Sequence, residues 1–109
     1  MSFGRLPIRP IEGDTAIVAV DKWRKLESPV RLRKTFKFFS QVARNEFVNQ
    51  LLGYENDVQH NAVITIDEGE VTLDLRTKDV DQVTEIDKEY AKFSDEIYRD
   101  IVYNPPRDE

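Results

Sequence analysis

Cysteine is absent from this chain of 109 residues, which removes disulfides, thiolate metal ligands and cysteine nucleophiles from consideration. Histidine occurs once, as His60, so a zinc site would have to be assembled almost wholly from carboxylates, and no metal or other cofactor is expected. Long apolar runs are missing as well. Ala16 to Val20 and Ala62 to Ile66 fall far short of the ~20 residues that a membrane-spanning helix needs. The opening MSFGRLPIRP has no apolar stretch behind its basic residues, and Pro7 and Pro10 oppose an amphipathic helix, so neither a secretory signal nor a transit peptide is expected. Phosphate loops, nucleophile elbows and nucleotide fingerprints do not occur.

What remains is a balance of 39% hydrophobic and 34% charged residues, enough for one modest core. The net charge of -5 is unevenly spread: residues 1 to 54 carry a net +5 and residues 55 to 109 a net -10, which predicts a dipolar molecule. The densest basic run is Arg31, Arg33, Lys34 and Lys37. Such a run can meet phosphates or an acidic partner, or it can be a solvated strand face balanced by the acidic half of the fold; nucleic acid is the less expected partner.

Gly4, Pro7, Pro10 and Gly13 mark residues 1 to 14 as an extended arm, and Pro105 and Pro106 mark 104 to 109 as a tail, leaving 15 to 103 for one domain. A short strand is expected over Asp21 to Leu26, with Trp23 on it. From Val30 to Phe38 the chain alternates: Val30, Leu32, Phe36 and Phe38 share one face, interrupted by Lys34, and Arg31, Arg33, Thr35 and Lys37 share the other. Ser40 is placed to cap a helix over 40 to 52, with Ala43, Phe47 and Leu51 at helical spacing and Gly53 as its stop. Ala62 to Ile66, Asp67-Glu68-Gly69 and the alternation Val71, Leu73, Leu75 predict a hairpin. Thr84 and Asp87 have capping-box spacing, and Ile86, Tyr90, Phe93, Ile97 and Ile101 give one apolar stripe of a helix over 84 to 101. The fold class is therefore α+β: an antiparallel sheet of four to five strands with helices packed on one face. Its unpaired edges predict pairing with a second copy, as a homodimer.

The candidate chemistry lies in Glu55-Asn56-Asp57-Val58-Gln59-His60-Asn61-Ala62, expected just after the first helix. A lone histidine among acids and amides is either a general acid or base near neutral pH or a loop residue satisfied by a neighbour. Asp87 is either a site residue or a helix cap that suits the macrodipole. Asp79 and Asp81 are too few to read as a calcium site and fit a solvated turn.

The order of these features resembles the pterin-4a-carbinolamine dehydratase family. Its signature is an acidic residue, three spacers, His-His-Pro, a hairpin strand ending in Thr-His, and an Asp in the last helix. Phe36-Lys37-Phe38, Phe47, Thr77, Asp87 and Ala91 fall in register without a gap from Phe36 to Phe93. His60 takes the place of the first histidine, Asn61 the second, Ala62 the proline and Lys78 the third histidine; Asn56 stands at the acidic position, flanked by Glu55 and Asp57. The resemblance implies a pterin site at His60, Asn61, Lys78 and Asp87. With one imidazole of three, the same comparison implies a vestigial site and no measurable turnover. Within the family the chain is most similar to a divergent branch, the dehydratase-like Rubisco assembly factors encoded with alpha-carboxysomes. That implies a cytoplasmic, carboxysome-associated chaperone for the Rubisco large subunit. Independently of the resemblance, the basic strand face of Arg31, Arg33 and Lys37 is the expected contact with an acidic partner surface. The alternatives are an active 4a-hydroxytetrahydrobiopterin dehydratase resting on His60, and a dehydratase-like transcriptional coactivator.

Overall fold

The structure is a computed structural model that describes residues 22–106; the expected N-terminal arm and the last three residues of the tail lie outside the described residues. The elements in order are β1 (Arg24–Leu26), β2 (Arg31–Lys37), α1 (Gln41–Val58), β3 (Val63–Ile66), β4 (Glu70–Leu75) and α2 (Glu85–Tyr103). Among the described residues the strands form one antiparallel sheet in the order β1-β2-β4-β3.

The period-2 pattern decides which face is buried. Phe36 on β2 and Val71, Leu73 and Leu75 on β4 point to the helices and are almost fully buried with Phe47 and Leu51 of α1 and Tyr90, Ile97 and Ile101 of α2. Phe36 lies 4.8 Å from Phe47 and 5.1 Å from Tyr98, ring centroid to centroid, and the helices meet where Tyr54 stacks on Phe93 at 4.2 Å. Truncating Phe47 at the centre of this cluster would cost about 3–5 kcal/mol.

Three sequence expectations are corrected. The first helix does not stop at Gly53 but runs on to Val58, because Tyr54 packs on α2 and Gln59 supplies a left-handed C-cap at φ 58°, ψ 42°. Glycine weakens a helix without breaking it. The segment from Glu55 to Val58 is thus helical rather than loop. On α2, Ile86 is exposed and Asp87 takes the inward position in its place. Trp23 precedes β1 rather than lying on it, and its indole Nε1 donates to both carboxylate oxygens of Asp95 at 3.1 Å. Asp95 also holds Lys34, at 2.7 Å, so the lysine that interrupts the apolar face of β2 is buried with its ammonium paired and 4.8 Å from the Phe36 ring.

Candidate functional site

The site assembles where the end of α1, the turn after β4 and the start of α2 converge. At the end of α1 the Gln59 N–H donates to the Glu55 carbonyl at 2.9 Å, and the left-handed Gln59, which costs about 1 kcal/mol in a non-glycine residue, swings the chain back towards α2. Glu55 completes that reversal. Its Oε2 accepts the Ala62 N–H at 3.0 Å and the Tyr90 hydroxyl at 2.5 Å, which pins the His60-Asn61-Ala62 segment between the helices. Burial and then the Glu55 carboxylate push the Tyr90 hydroxyl far above its ordinary pKa.

Thus placed, His60 Nε2 lies 2.7 Å from Asp87 Oδ1. The pairing puts the proton on Nε2 and, in the neutral ring, the free lone pair on Nδ1. Asp87 is completely buried, and its second oxygen, Oδ2, accepts from the Thr77 hydroxyl at 2.8 Å and the Thr84 N–H at 3.0 Å. Because the Thr77 proton goes to Asp87, the Thr84 hydroxyl donates to Thr77 Oγ1, 2.7 Å away. Asp87 is therefore a helix cap and the partner of His60 at the same time.

The sequence-predicted residues are only partly brought together. His60 and Asp87 touch. Asn61 faces an open cleft of about 340 Å³ that it lines with Leu52, Glu55, Asn56 and Gln59. Lys78 is exposed in the turn after β4, which Thr77 and Gln82 close by mutual backbone hydrogen bonds at 2.8 and 3.3 Å. In the same turn Asp81 pairs with Arg76. Glu55, Thr77, Thr84 and Tyr90 also belong to the network: Glu55 and Thr77 are expected from the candidate segment and the signature, whereas Thr84 and Tyr90 are expected only as a helix cap and as part of the apolar stripe. The signal for Glu55 was the spacing Phe47, Leu51, Glu55, which continues the buried stripe of α1 once the helix passes Gly53.

Arg31, Arg33 and Lys37 lie on the sheet face away from the helices, opposite acidic residues of β4. Arg33 grips Asp74 with two hydrogen bonds, at 2.7 and 3.0 Å, and Arg31 approaches the same carboxylate at 3.4 Å. Lys37 lies 4.0 Å from Glu70. The hydrogen bond to Asp74 and its charge raise the pKa of the Arg33 guanidinium further. The basic run is thus in large part matched within the sheet.

Among the described residues, then, a four-stranded antiparallel sheet and two helices hold a histidine-aspartate pair beside the hairpin. Residues 7–97 match the family described as pterin 4 alpha carbinolamine dehydratase, and the chain belongs to that family. Among solved structures it is similar to a transcriptional coactivator/pterin dehydratase from Brucella melitensis, with 25% identity and a TM-score of 0.68 over 73% of this chain and 85% of that one. It also shares its fold with a pterin dehydratase-like protein identified as a RuBisCO assembly factor in the alpha-carboxysome, with 21% identity and a TM-score of 0.62 over 70% of this chain and 88% of that one. No curated protein matches the sequence.

Proposed function

We propose that this protein is a catalytically degraded pterin dehydratase that works as a homodimeric assembly factor for the Rubisco large subunit. The observation that carries the loss of catalysis is the isolation of its one imidazole. Dehydration of a 4a-carbinolamine needs one proton delivered to the leaving hydroxyl and another removed from a ring nitrogen. His60 can serve once, but Asn61 carries an amide that does not titrate, and Lys78 offers an exposed ammonium. Each general acid or base is worth roughly 10²- to 10⁴-fold, so the loss of two leaves little rate. The assembly role is supported by the fold shared with the carboxysome assembly factor. The Arg31, Arg33 and Lys37 face is the proposed contact, its charge partly offset by Asp74 and Glu70.

A second reading, residual dehydratase activity, is favoured by the 2.7 Å His60–Asp87 contact, since a carboxylate that fixes the tautomer of an imidazole is how a working base is oriented. Formation of quinonoid dihydropterin, measured beside an intact family member, separates the two. Activity at least about 100-fold lower is expected; turnover within about tenfold, abolished by His60→Ala, would establish the enzyme instead. Co-expression with Rubisco subunits tests the assembly role on native gels: more assembled enzyme is expected with the wild type and with His60→Ala, and less with Arg31→Gln/Arg33→Gln. An unchanged yield with the wild type removes the assembly assignment.

A further inference from the structure

We propose that the surface around Phe39 is a docking site for a net-basic, arginine-bearing segment of a partner protein. Of the aromatic run Phe36, Phe38 and Phe39, the first is buried and the second packs on Phe47 and Tyr98 at 5.1 and 5.3 Å, whereas Phe39 is fully exposed. It sits one residue before the helix cap Ser40, where an apolar side chain ordinarily packs on the fourth helical residue. That residue is Arg44, and it is committed elsewhere: its Nη1 donates to the carbonyls of Asp67 at 3.1 Å and Glu68 at 2.9 Å, clamping the β3–β4 turn.

The backbone that presents the ring is fixed on both sides. The Phe38 N–H donates to the Gly69 carbonyl at 2.8 Å, the Tyr98 hydroxyl to the Lys37 carbonyl at 2.8 Å, and the Ala43 N–H to Ser40 Oγ at 3.1 Å. An exposed aromatic on a rigid mount has already met much of the ordering cost of binding. Beside it lies an open cleft of about 440 Å³, with Phe38 and Gly69 in its lining and the carboxylates of Asp67, Glu68 and Glu70 around it. Counting Lys37, which pairs with Glu70, and Arg44 under the turn, the cleft keeps one net negative charge.

A ring face flanked by carboxylates selects a guanidinium over an ammonium: the planar group stacks on the ring while its N–H groups donate in the fork geometry a carboxylate accepts. The openness of the cleft suits a chain segment rather than an enclosed small molecule. The inference rests on the partner-binding reading for the occupant being a protein, but not on which protein it is.

The test uses the full chain, labelled with ¹⁵N, and two Gly/Ser peptides of equal charge, one carrying two arginines and the other two lysines. The arginine peptide is expected to shift the amide signals of Phe39 and Gly69 and to bind at least about threefold more tightly than the lysine peptide. Phe39→Ser is expected to abolish that preference, and Asp67→Asn/Glu68→Gln to weaken both peptides about three- to tenfold. Equal binding of the two peptides, no binding of either, a preference that survives Phe39→Ser, or shifts confined to another face would each overturn the proposal. None of these readouts depends on Rubisco, so a failed co-expression and a failed docking site are told apart.

Discussion

Asp87 surrenders all contact with water, and a carboxylate does so stably only when donors replace its hydration. His60, Thr77 and the Thr84 N–H supply them, and the position in the first turn of α2 adds the favourable end of the helix dipole. Asp87→Ala is therefore expected to destabilise the fold by about 3 kcal/mol, through a lost cap and buried donors left unpartnered, against roughly 1 kcal/mol for His60→Ala. Urea denaturation of both variants checks this; an Asp87→Ala cost no larger than that of His60→Ala would refute the structural role. Tyr90 makes a second residue-scale expectation. Burial raises the folded-state pKa of Tyr54, Tyr90 and Tyr98, and carboxylates add to it for the first two, Glu89 beside Tyr54 and Glu55 on Tyr90. Unfolded tyrosine loses its proton near pH 10, so above that pH the folded state holds more protons than the unfolded state. The stability these groups contribute is intact below about pH 10 and falls as pH rises beyond it. Unfolding free energies measured from pH 8 to 11 are expected to decline more gently in Tyr90→Phe than in the wild type, and parallel profiles would contradict the assignment.

Helix α1 shows how a local signal is outvoted by packing. Gly53 costs roughly 1 kcal/mol relative to alanine in a helix interior, yet the Tyr54–Phe93 stack and the Glu55–Tyr90 hydrogen bond beyond it draw the helix on to Val58. A Cβ at Gly53 would meet nothing within 4 Å, so Gly53→Ala is expected to stabilise the protein by about 0.5–1 kcal/mol and to raise the melting temperature by roughly 2–8 °C. Thermal unfolding followed by circular dichroism reads this directly, and an unchanged or lower midpoint would refute it. Local pattern and long-range packing likewise divide what the sequence discloses from what it does not. β2, β4 and α2 were legible because period 2 or 3.6 runs through them, broken only at Lys34 and at Ile86. The exchange of Ile86 for Asp87 was not, because it depends on His60 arriving from a distant part of the chain. Lys34 reads as a flaw in the β2 pattern until Asp95 of α2 is seen beside it. The signature register locates His60 and Asp87, while Glu55, read as part of a loop after the helix and as a neighbour of the acidic position, turns out to lie on the helix and to tie Ala62 to Tyr90.

For the molecule as a whole, the basic and acidic residues that the structure describes are not segregated in space. Because β2 pairs with β4 and packs under α2, Arg33 meets Asp74, Lys37 meets Glu70 and Lys34 meets Asp95, so the expected dipole is in part cancelled pair by pair. Among the described residues the sheet, by contrast, ends on two unequal edges. β1 is three residues long, and Lys25 and Arg24 discourage a neighbour there. β3 is Val63–Ile66, uncharged, free of proline, with Val63 and Ile66 about half exposed. Proteins blunt such edges with lysine, proline or a covering element, and β3 itself carries neither residue. A second copy adding its own β3 would satisfy the open backbone groups and cover those side chains, so the protein is expected to be a dimer at micromolar concentration. Lysines placed at Val63 and Thr65, both exposed, would leave the core untouched while opposing each other across that seam. Light scattering coupled to size exclusion should report a dimer for the wild type and a monomer for Val63→Lys/Thr65→Lys, with matching circular dichroism spectra. A wild-type monomer would remove the dimer, and a double variant that still pairs would move the contact from the β3 edge to another surface.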